Sequence, residues 1–152
     1  MIYIILSLLS FSLLVLFLRW GKKRRKQDLR NLLEAGLKNP YQFEEFAKEY
    51  LKEKGFRSVR TTRKSKDFGA DIVAKRRGST VVFQVKRRNS TVEKEVVKEL
   101  VAAAYIYGAT EVGIFTNGEL STGLKKELEE LKRSGGFIKR VHVIKNINPE
   151  EF

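Results

Sequence analysis

The chain has 152 residues, enough for one compact domain, and its 31 Lys and Arg against 18 Asp and Glu give a formal charge of +13. The absence of cysteine excludes disulfide frameworks, thiolate nucleophiles and sulfur-bound zinc, and the single histidine, His142, excludes multi-histidine metal sites and disfavours a Ser-His-Asp apparatus. The apolar fraction of 42% predicts a packed core, and the excess of cations predicts an anionic partner, either nucleic-acid phosphates or acidic lipid.

The first 18 residues carry no charge, and as a helix they would span about 27 Å, close to the hydrocarbon thickness of a bilayer. Trp20 and a run of five cations, residues 22–26, follow. This order predicts a transmembrane helix over residues 1–20 and a basic juxtamembrane linker over residues 21–38, with acidic lipid near residues 22–26. The positive-inside rule then predicts a single-pass membrane protein with its C-terminal domain in the cytoplasm. One alternative is a cleaved signal peptide, although its cations would precede the apolar run. The others are a mispredicted start codon and a buried helix.

The charge divides between two segments. Residues 19–38 hold eight cations and two acids, a net of +6, whereas residues 39–152 hold 23 cations and 16 acids, a net of +7. Acidic lipid accounts for the first excess, so the second predicts a further anionic partner for the C-terminal domain.

Residues 39–152 alternate between helical and strand patterns. Asn39-Pro40 is typical of a helix start, and Gly55 and Gly108 are typical of helix ends. The predicted elements are a helix after Asn39, strands at 56–61, 72–74 and 80–86, a helix at 92–107, a strand at 112–116, a helix at 120–131 and a strand at 137–144. The order α-β-β-β-α-β-α-β predicts an α/β fold with a mixed sheet flanked by helices, in which a hairpin is followed by a parallel crossover.

Three polar residues are expected to meet on the hairpin. Gln84 and Lys86 point to the same side of their strand, and Asp71 begins the partner strand. A carboxylate, an amide oxygen and an ammonium group held together suit metal-assisted phosphodiester hydrolysis, in which a hard cation activates water. Charged residues at strand ends are also commonly just solvated, and the pattern alone leaves both interpretations open.

A longer set of motifs favours the catalytic interpretation over solvated charges. It comprises Phe43-Glu44, Gly55-Phe56, Asp67-Phe68-Gly69-Ala70-Asp71, the hairpin and Gln84-Val85-Lys86. From about residue 39 to 131 the chain resembles the Mrr-like (type IV) restriction endonuclease catalytic domain of the PD-(D/E)xK nuclease superfamily. The resemblance implies a restriction-endonuclease-like fold over residues 39–152, DNA as substrate and Mg²⁺ or Mn²⁺ as cofactor.

The resemblance also implies roles for individual residues. Asp71 would be the central metal ligand, Gln84 its partner ligand and the Val85 carbonyl a further ligand. Lys86 would be the catalytic lysine and Glu44 the helix carboxylate of the metal site, with Glu45 as its rival, because adjacent helical residues point about 100° apart. Asp67 matches the first acid of the D-x-G-x-D segment, although a turn role fits it equally. Gln84 departs from the superfamily's commoner glutamate, and a neutral amide holds a cation less strongly.

Cations surround these positions. Those expected to contact the nucleic-acid backbone are Arg63, Lys64, Lys66, Arg76, Arg77, Arg87 and Arg88. We therefore expect a membrane-anchored, metal-dependent DNA endonuclease acting in defence against foreign or modified DNA, for which double-strand cleavage would need a homodimer or sequential nicking. The alternatives are a non-catalytic nucleic-acid-binding protein that retains the fold and a DNA repair or junction nuclease.

Overall fold

The structure is a computed structural model, and it describes residues 2–35, 37, 39–62, 69–87, 90–145 and 147, without the side chains of Ile2 and Ile5. Four helices and five strands make up this part of the chain. The helices are α1 (Ile2–Glu34), α2 (Pro40–Glu53), α3 (Val96–Tyr107) and α4 (Thr122–Arg133). The strands are β1 (Arg57–Thr61), β2 (Ile72–Arg76), β3 (Ser79–Lys86), β4 (Glu111–Thr116) and β5 (Arg140–Ile144).

The strands form one mixed sheet in the order β1-β2-β3-β4-β5. The pairs β1–β2 and β2–β3 are antiparallel, whereas β3–β4 and β4–β5 are parallel. The predicted element order, the β2–β3 hairpin and the parallel crossover through α3 are therefore confirmed.

Each face of the sheet packs against different helices because side chains alternate along a strand. Val82 of β3 faces the cluster formed with α3 and α4. Val81 and Phe83 face the opposite cluster, which contains the apolar stripe of α2 and Leu29 of α1. Because Gln84 and Lys86 lie two and four residues after Val82, their side chains point to the same face as Val82, toward α3.

Three predicted boundaries differ from the structure. Helix α3 starts at Val96 because Val92 forms a β-bridge with Leu120, its N–H donating to the Glu119 carbonyl at 2.7 Å. The bridge also delays α4, which starts at Thr122 after the Ser121 cap. Strand β5 is shorter than predicted and pairs with β4 only from residue 140 onward.

Helix α1 corrects the membrane prediction. It runs for 33 residues without a break, and among the described residues no helix is long and apolar enough to cross a membrane. The predicted transmembrane segment over residues 1–20 and the single-pass membrane localisation are therefore wrong. Nothing in the described residues supports the lipid contact predicted near residues 22–26. Toward its C-terminal end, α1 places Leu29, which is fully buried, against the α2 cluster.

Candidate active site

Asp71 is positioned by the hairpin itself. Ile72 pairs with Phe83 in the antiparallel register, which places Asp71 beside Gln84. The Asp71 backbone N–H donates to the Phe83 carbonyl at 2.9 Å, and its carboxylate Oδ2 accepts from the Val85 N–H at 2.7 Å. The main chain of β3 thus holds both the backbone and the side chain of Asp71.

Gln84 has a buried polar atom that needs an explanation. Its residue is only 7% exposed, and its Oε1 has no hydrogen-bond partner within the described part of the chain. Leaving a buried acceptor unsatisfied costs about 1–3 kcal/mol, so such an atom in a native fold calls for a functional reason. An amide oxygen beside the Asp71 carboxylate is suited to binding a hard cation.

Lys86 is held at both its backbone and its side chain. Its carbonyl accepts from the hydroxyl of Thr116, a fully buried residue of β4, at 2.6 Å. Its ammonium Nζ lies 3.3 Å from Oε2 of Glu99 on α3. Strand alternation places Lys86 on the same face as Gln84, and the hairpin register places Asp71 beside Gln84, so the three residues lie at the same end of the β2–β3 hairpin.

Glu99 is the residue that the sequence reasoning missed. Glu99 also packs closely against Gly69, two residues before Asp71. The approach is so close that a Cβ added to Gly69 would lie 2.8 Å from the Glu99 Cβ. The sequence contains one weak indication that Glu99 reaches the sheet. Glu99 lies three residues after Val96 and next to Leu100, at the edge of the apolar stripe of α3. That stripe faces the sheet, so a carboxylate at its edge can reach a strand residue.

The predicted helix carboxylate occupies a different position. Glu44 lies on α2, which packs on the opposite face of the sheet from Gln84 and Lys86. Its neighbour Glu45 forms an ion pair with Lys48 one turn along the helix, at 2.5 Å. A role for Glu44 in the site therefore remains a prediction, and Glu45 is already engaged by Lys48.

The donor atoms at this site suit a divalent metal, although they do not form a carboxylate cluster. Within the described ranges, no three His, Cys, Asp or Glu side chains are arranged to hold a metal ion. The oxygens at this end of the hairpin are instead those of the Asp71 carboxylate, the Gln84 amide and the Val85 carbonyl. Because the Val85 N–H points toward Asp71, the carbonyl of the same strand residue points toward that edge too.

The predicted backbone-binding cations divide into three groups. Arg87 directly follows Lys86 and is exposed. Arg76 and Arg77 lie at the other end of the hairpin, about 17 Å from Asp71 at roughly 3.3 Å per residue, so the structure does not bring them to the site. The remaining predicted cations lie outside the described residues: Arg63, Lys64, Lys66 and Arg88. The acid Asp67 of the D-x-G-x-D segment also lies outside them.

His142 takes no part in this site. Its Nε2 lies 2.7 Å from Oε2 of Glu111, which begins β4, whereas the site lies where β4 ends. Glu111 is only 3% exposed and also accepts from Arg140 at 2.8 Å. This buried group links β4 to β5 and is structural.

The mixed sheet, with an aspartate entering β2 and Gln-x-Lys on β3, defines a restriction-endonuclease-like nuclease domain. The model of the restriction endonuclease family Mrr_cat matches residues 37–144. The chain belongs to this Mrr_cat restriction endonuclease family, and the resemblance inferred from its motifs is confirmed.

Solved structures agree on the fold. The crystal structure of a protein of unknown function, AF1548, aligns with a TM-score of 0.52 at 20% identity, covering 67% of this chain and 55% of that one. The DNA modification-dependent restriction endonuclease AspBHI aligns with a TM-score of 0.53 at 16% identity, covering 80% of this chain and 33% of that one. The chain thus spans about half and one third of the lengths of these two proteins. A search of curated proteins found no match.

Proposed function

We propose that the protein is a metal-dependent DNA endonuclease that hydrolyses phosphodiester bonds, in defence against foreign or modified DNA. One observation carries this proposal: the buried Oε1 of Gln84, which has no hydrogen-bond partner among the described residues, lies on the same face as Lys86 and beside Asp71. A purely structural site would be expected to satisfy that oxygen. A site built to hold a cation leaves it available.

The carboxylate of Asp71, the amide oxygen of Gln84 and the carbonyl of Val85 would hold Mg²⁺ or Mn²⁺. When bound, the metal supplies electrostatic stabilisation of the phosphate and lowers the pKa of a coordinated water. Glu44 is proposed as an additional ligand or support for this site, on family resemblance alone.

Lys86 supplies a positive charge at the reacting phosphate. Its ammonium group can orient the attacking water or stabilise negative charge on the phosphate oxygens. Glu99 lies within ion-pair distance of that ammonium and limits the directions in which it can point. Glu99 therefore acts through Lys86 as a positioning residue.

The proposed DNA backbone contact in the described part of the chain is Arg87, because it leaves β3 next to the catalytic lysine. Arg63, Lys64, Lys66 and Arg88 stay proposed backbone contacts on the basis of the sequence. One such site cuts one strand, so we propose that double-strand cleavage uses a homodimer or two successive nicks.

The test is a plasmid-nicking assay with the full chain, with and without Mg²⁺, on the wild type, Asp71→Ala and Lys86→Ala. We expect Mg²⁺-dependent nicking by the wild type and a loss of about 100-fold or more in each variant, with DNA binding retained. Lys126→Gln, which removes an exposed cation on α4, is the matched control and should cleave like the wild type.

Two outcomes would contradict the proposal. Equal residual nicking in the wild type and both variants would indicate a contaminating nuclease. Metal-independent DNA binding without any cleavage would instead favour a non-catalytic nucleic-acid-binding protein that retains the nuclease fold.

A further inference from the structure

A second concave site lies at the turn end of the hairpin, away from Asp71. It is a cavity of about 600 Å³, within the size range of small-ligand sites. Its lining consists of Lys54, Gly55, Arg57, Ser58, Lys75, Arg76, Arg77 and Gly78. Five of these eight residues are cations and none is an acid, so the cavity carries a concentrated positive charge.

Two of the cations are held in place by aromatic rings. The Arg76 guanidinium lies 4.7 Å from the centre of the Phe56 ring, and the Lys54 ammonium lies 5.0 Å from that of Tyr50. Such contacts restrict long side chains before any ligand arrives, which lowers the entropic cost of binding.

The sheet register adds an energetic argument. Arg57 of β1 and Lys75 of β2 are direct cross-strand partners. Like charges directly opposite each other destabilise a sheet, so this pair imposes a cost that a bound anion would remove.

The backbone turns sharply at this place. Four of the lining residues have positive φ, and two of them are not glycines: Ser58 at 49° and Arg77 at 48°. Ser58 lies where the β1–β2 register shifts, and Arg77 lies in the turn that joins β2 to β3. Arg77 and Gly78 form the two-residue loop of this hairpin, in which positive φ at both positions is the usual turn geometry, so this turn fixes the direction of the Arg77 backbone at the cavity.

We propose that this cavity binds a small anion that carries two or more phosphate groups. A single phosphate carries at most two negative charges near neutral pH. The five cations around the cavity can balance more negative charge than that. The site is distinct from the nuclease site, because about 17 Å of β2 separates Arg76 from Asp71 at roughly 3.3 Å per residue.

The test is isothermal titration of the full chain with pyrophosphate and with orthophosphate in a chelator, so that no divalent metal contributes. We expect saturable binding of pyrophosphate, weaker binding of orthophosphate, and at least tenfold weaker pyrophosphate binding in the Arg57→Gln/Lys75→Gln double variant. Thermal unfolding gives a second readout: without ligand the double variant should melt above the wild type, because the opposed charges are gone.

Asp71→Asn and Lys126→Gln are the controls, and both should bind pyrophosphate like the wild type. The proposal is overturned if the wild type shows no saturable binding, or if Lys126→Gln weakens binding as much as the double variant. It is also overturned if the double variant loses affinity for duplex DNA in the same proportion, since the cavity would then belong to the substrate path. The result for pyrophosphate binding does not depend on the nuclease proposal, because the titration measures binding and not cleavage.

Discussion

The ammonium of Lys86 on β3 lies 3.3 Å from the carboxylate of Glu99 on α3, a contact that joins the strand carrying Gln-x-Lys to the helix that crosses over it. Gly69, just before Asp71, packs against the same glutamate. Glu99 therefore touches both Lys86 and the segment that leads into Asp71.

We expect Glu99→Gln to lower kcat for plasmid nicking by about tenfold, roughly 1.4 kcal/mol in the barrier, with KM for DNA changed less than about twofold. The amide retains the shape but loses the charge that restrains Lys86. Steady-state kinetics measure the split between the two parameters. Glu95→Gln, on the exposed residue before α3, is the control, and a wild-type kcat in Glu99→Gln would argue against a positioning role.

The Gln84 side-chain oxygen, which has no partner in the part of the chain that the structure describes, predicts that this residue lowers stability and favours metal binding. Gln84→Met keeps a similar volume and removes the unsatisfied acceptor, so we expect the metal-free protein to gain about 1 kcal/mol in unfolding free energy. The same variant should lose the rise in Tm that Mg²⁺ gives the wild type. Thermal unfolding with and without Mg²⁺ measures both effects, and a destabilised variant that still responds to Mg²⁺ would refute the assignment.

Gln84→Glu should act in the opposite direction. A second carboxylate beside Asp71 repels it when no metal is bound, so the metal-free variant should melt below the wild type. The added charge should lower the Mg²⁺ concentration for half-maximal nicking by about tenfold, because a carboxylate holds the cation more strongly than an amide. A titration of activity against Mg²⁺ checks this, and an unchanged midpoint would place the metal away from residue 84.

A side chain at Gly69 would clash with Glu99. Its φ is +83°, and an added Cβ would lie 2.9 Å from the Glu99 carbonyl oxygen, so Gly69→Ala should cost about 3 kcal/mol of unfolding free energy. Gly123→Ala is the matched control, since Gly123 lies within α4 and its nearest neighbour would be 3.6 Å away. That change should stabilise the protein by roughly 0.5–1 kcal/mol. Denaturant unfolding compares the two, and equal effects would contradict the packing described.

The buried carboxylate of Glu111 should matter for stability and not for cleavage. Glu111→Ala removes the acceptor for both Arg140 and His142, and we expect a loss of about 2 kcal/mol. Glu129 on α4 is the exposed counterpart: its hydrogen bond to Lys132 lowers the pKa of its carboxyl group, yet Glu129→Ala should leave Tm essentially unchanged because solvent screens the pair. A larger loss in Glu129→Ala than in Glu111→Ala would reverse this assignment.

Much of the fold was readable from local patterns. Asn39-Pro40 predicted the start of α2, where the Asn39 side chain accepts from the Gln42 N–H at 2.9 Å, and Gly108 ends α3 with a φ of +59°. Helix caps and turns depend on a few neighbouring residues, so they can be predicted directly from the sequence. The boundaries that moved were those set by distant contacts, as with the bridge between Val92 and Leu120.

By itself, the sequence determined the order of the elements and the face shared by Gln84 and Lys86, because strand periodicity depends only on local geometry. It also supplied the motifs by which the family was inferred. Only the tertiary structure decided that Glu99 reaches Lys86, that α2 with Glu44 lies on the opposite face, and that Arg76 and Arg77 stand apart from Asp71. The tertiary structure also showed that the N-terminal helix continues through the basic run to Glu34 and packs on α2. Contacts between elements far apart in sequence depend on how helices pack on the sheet, and one-dimensional patterns do not contain that information.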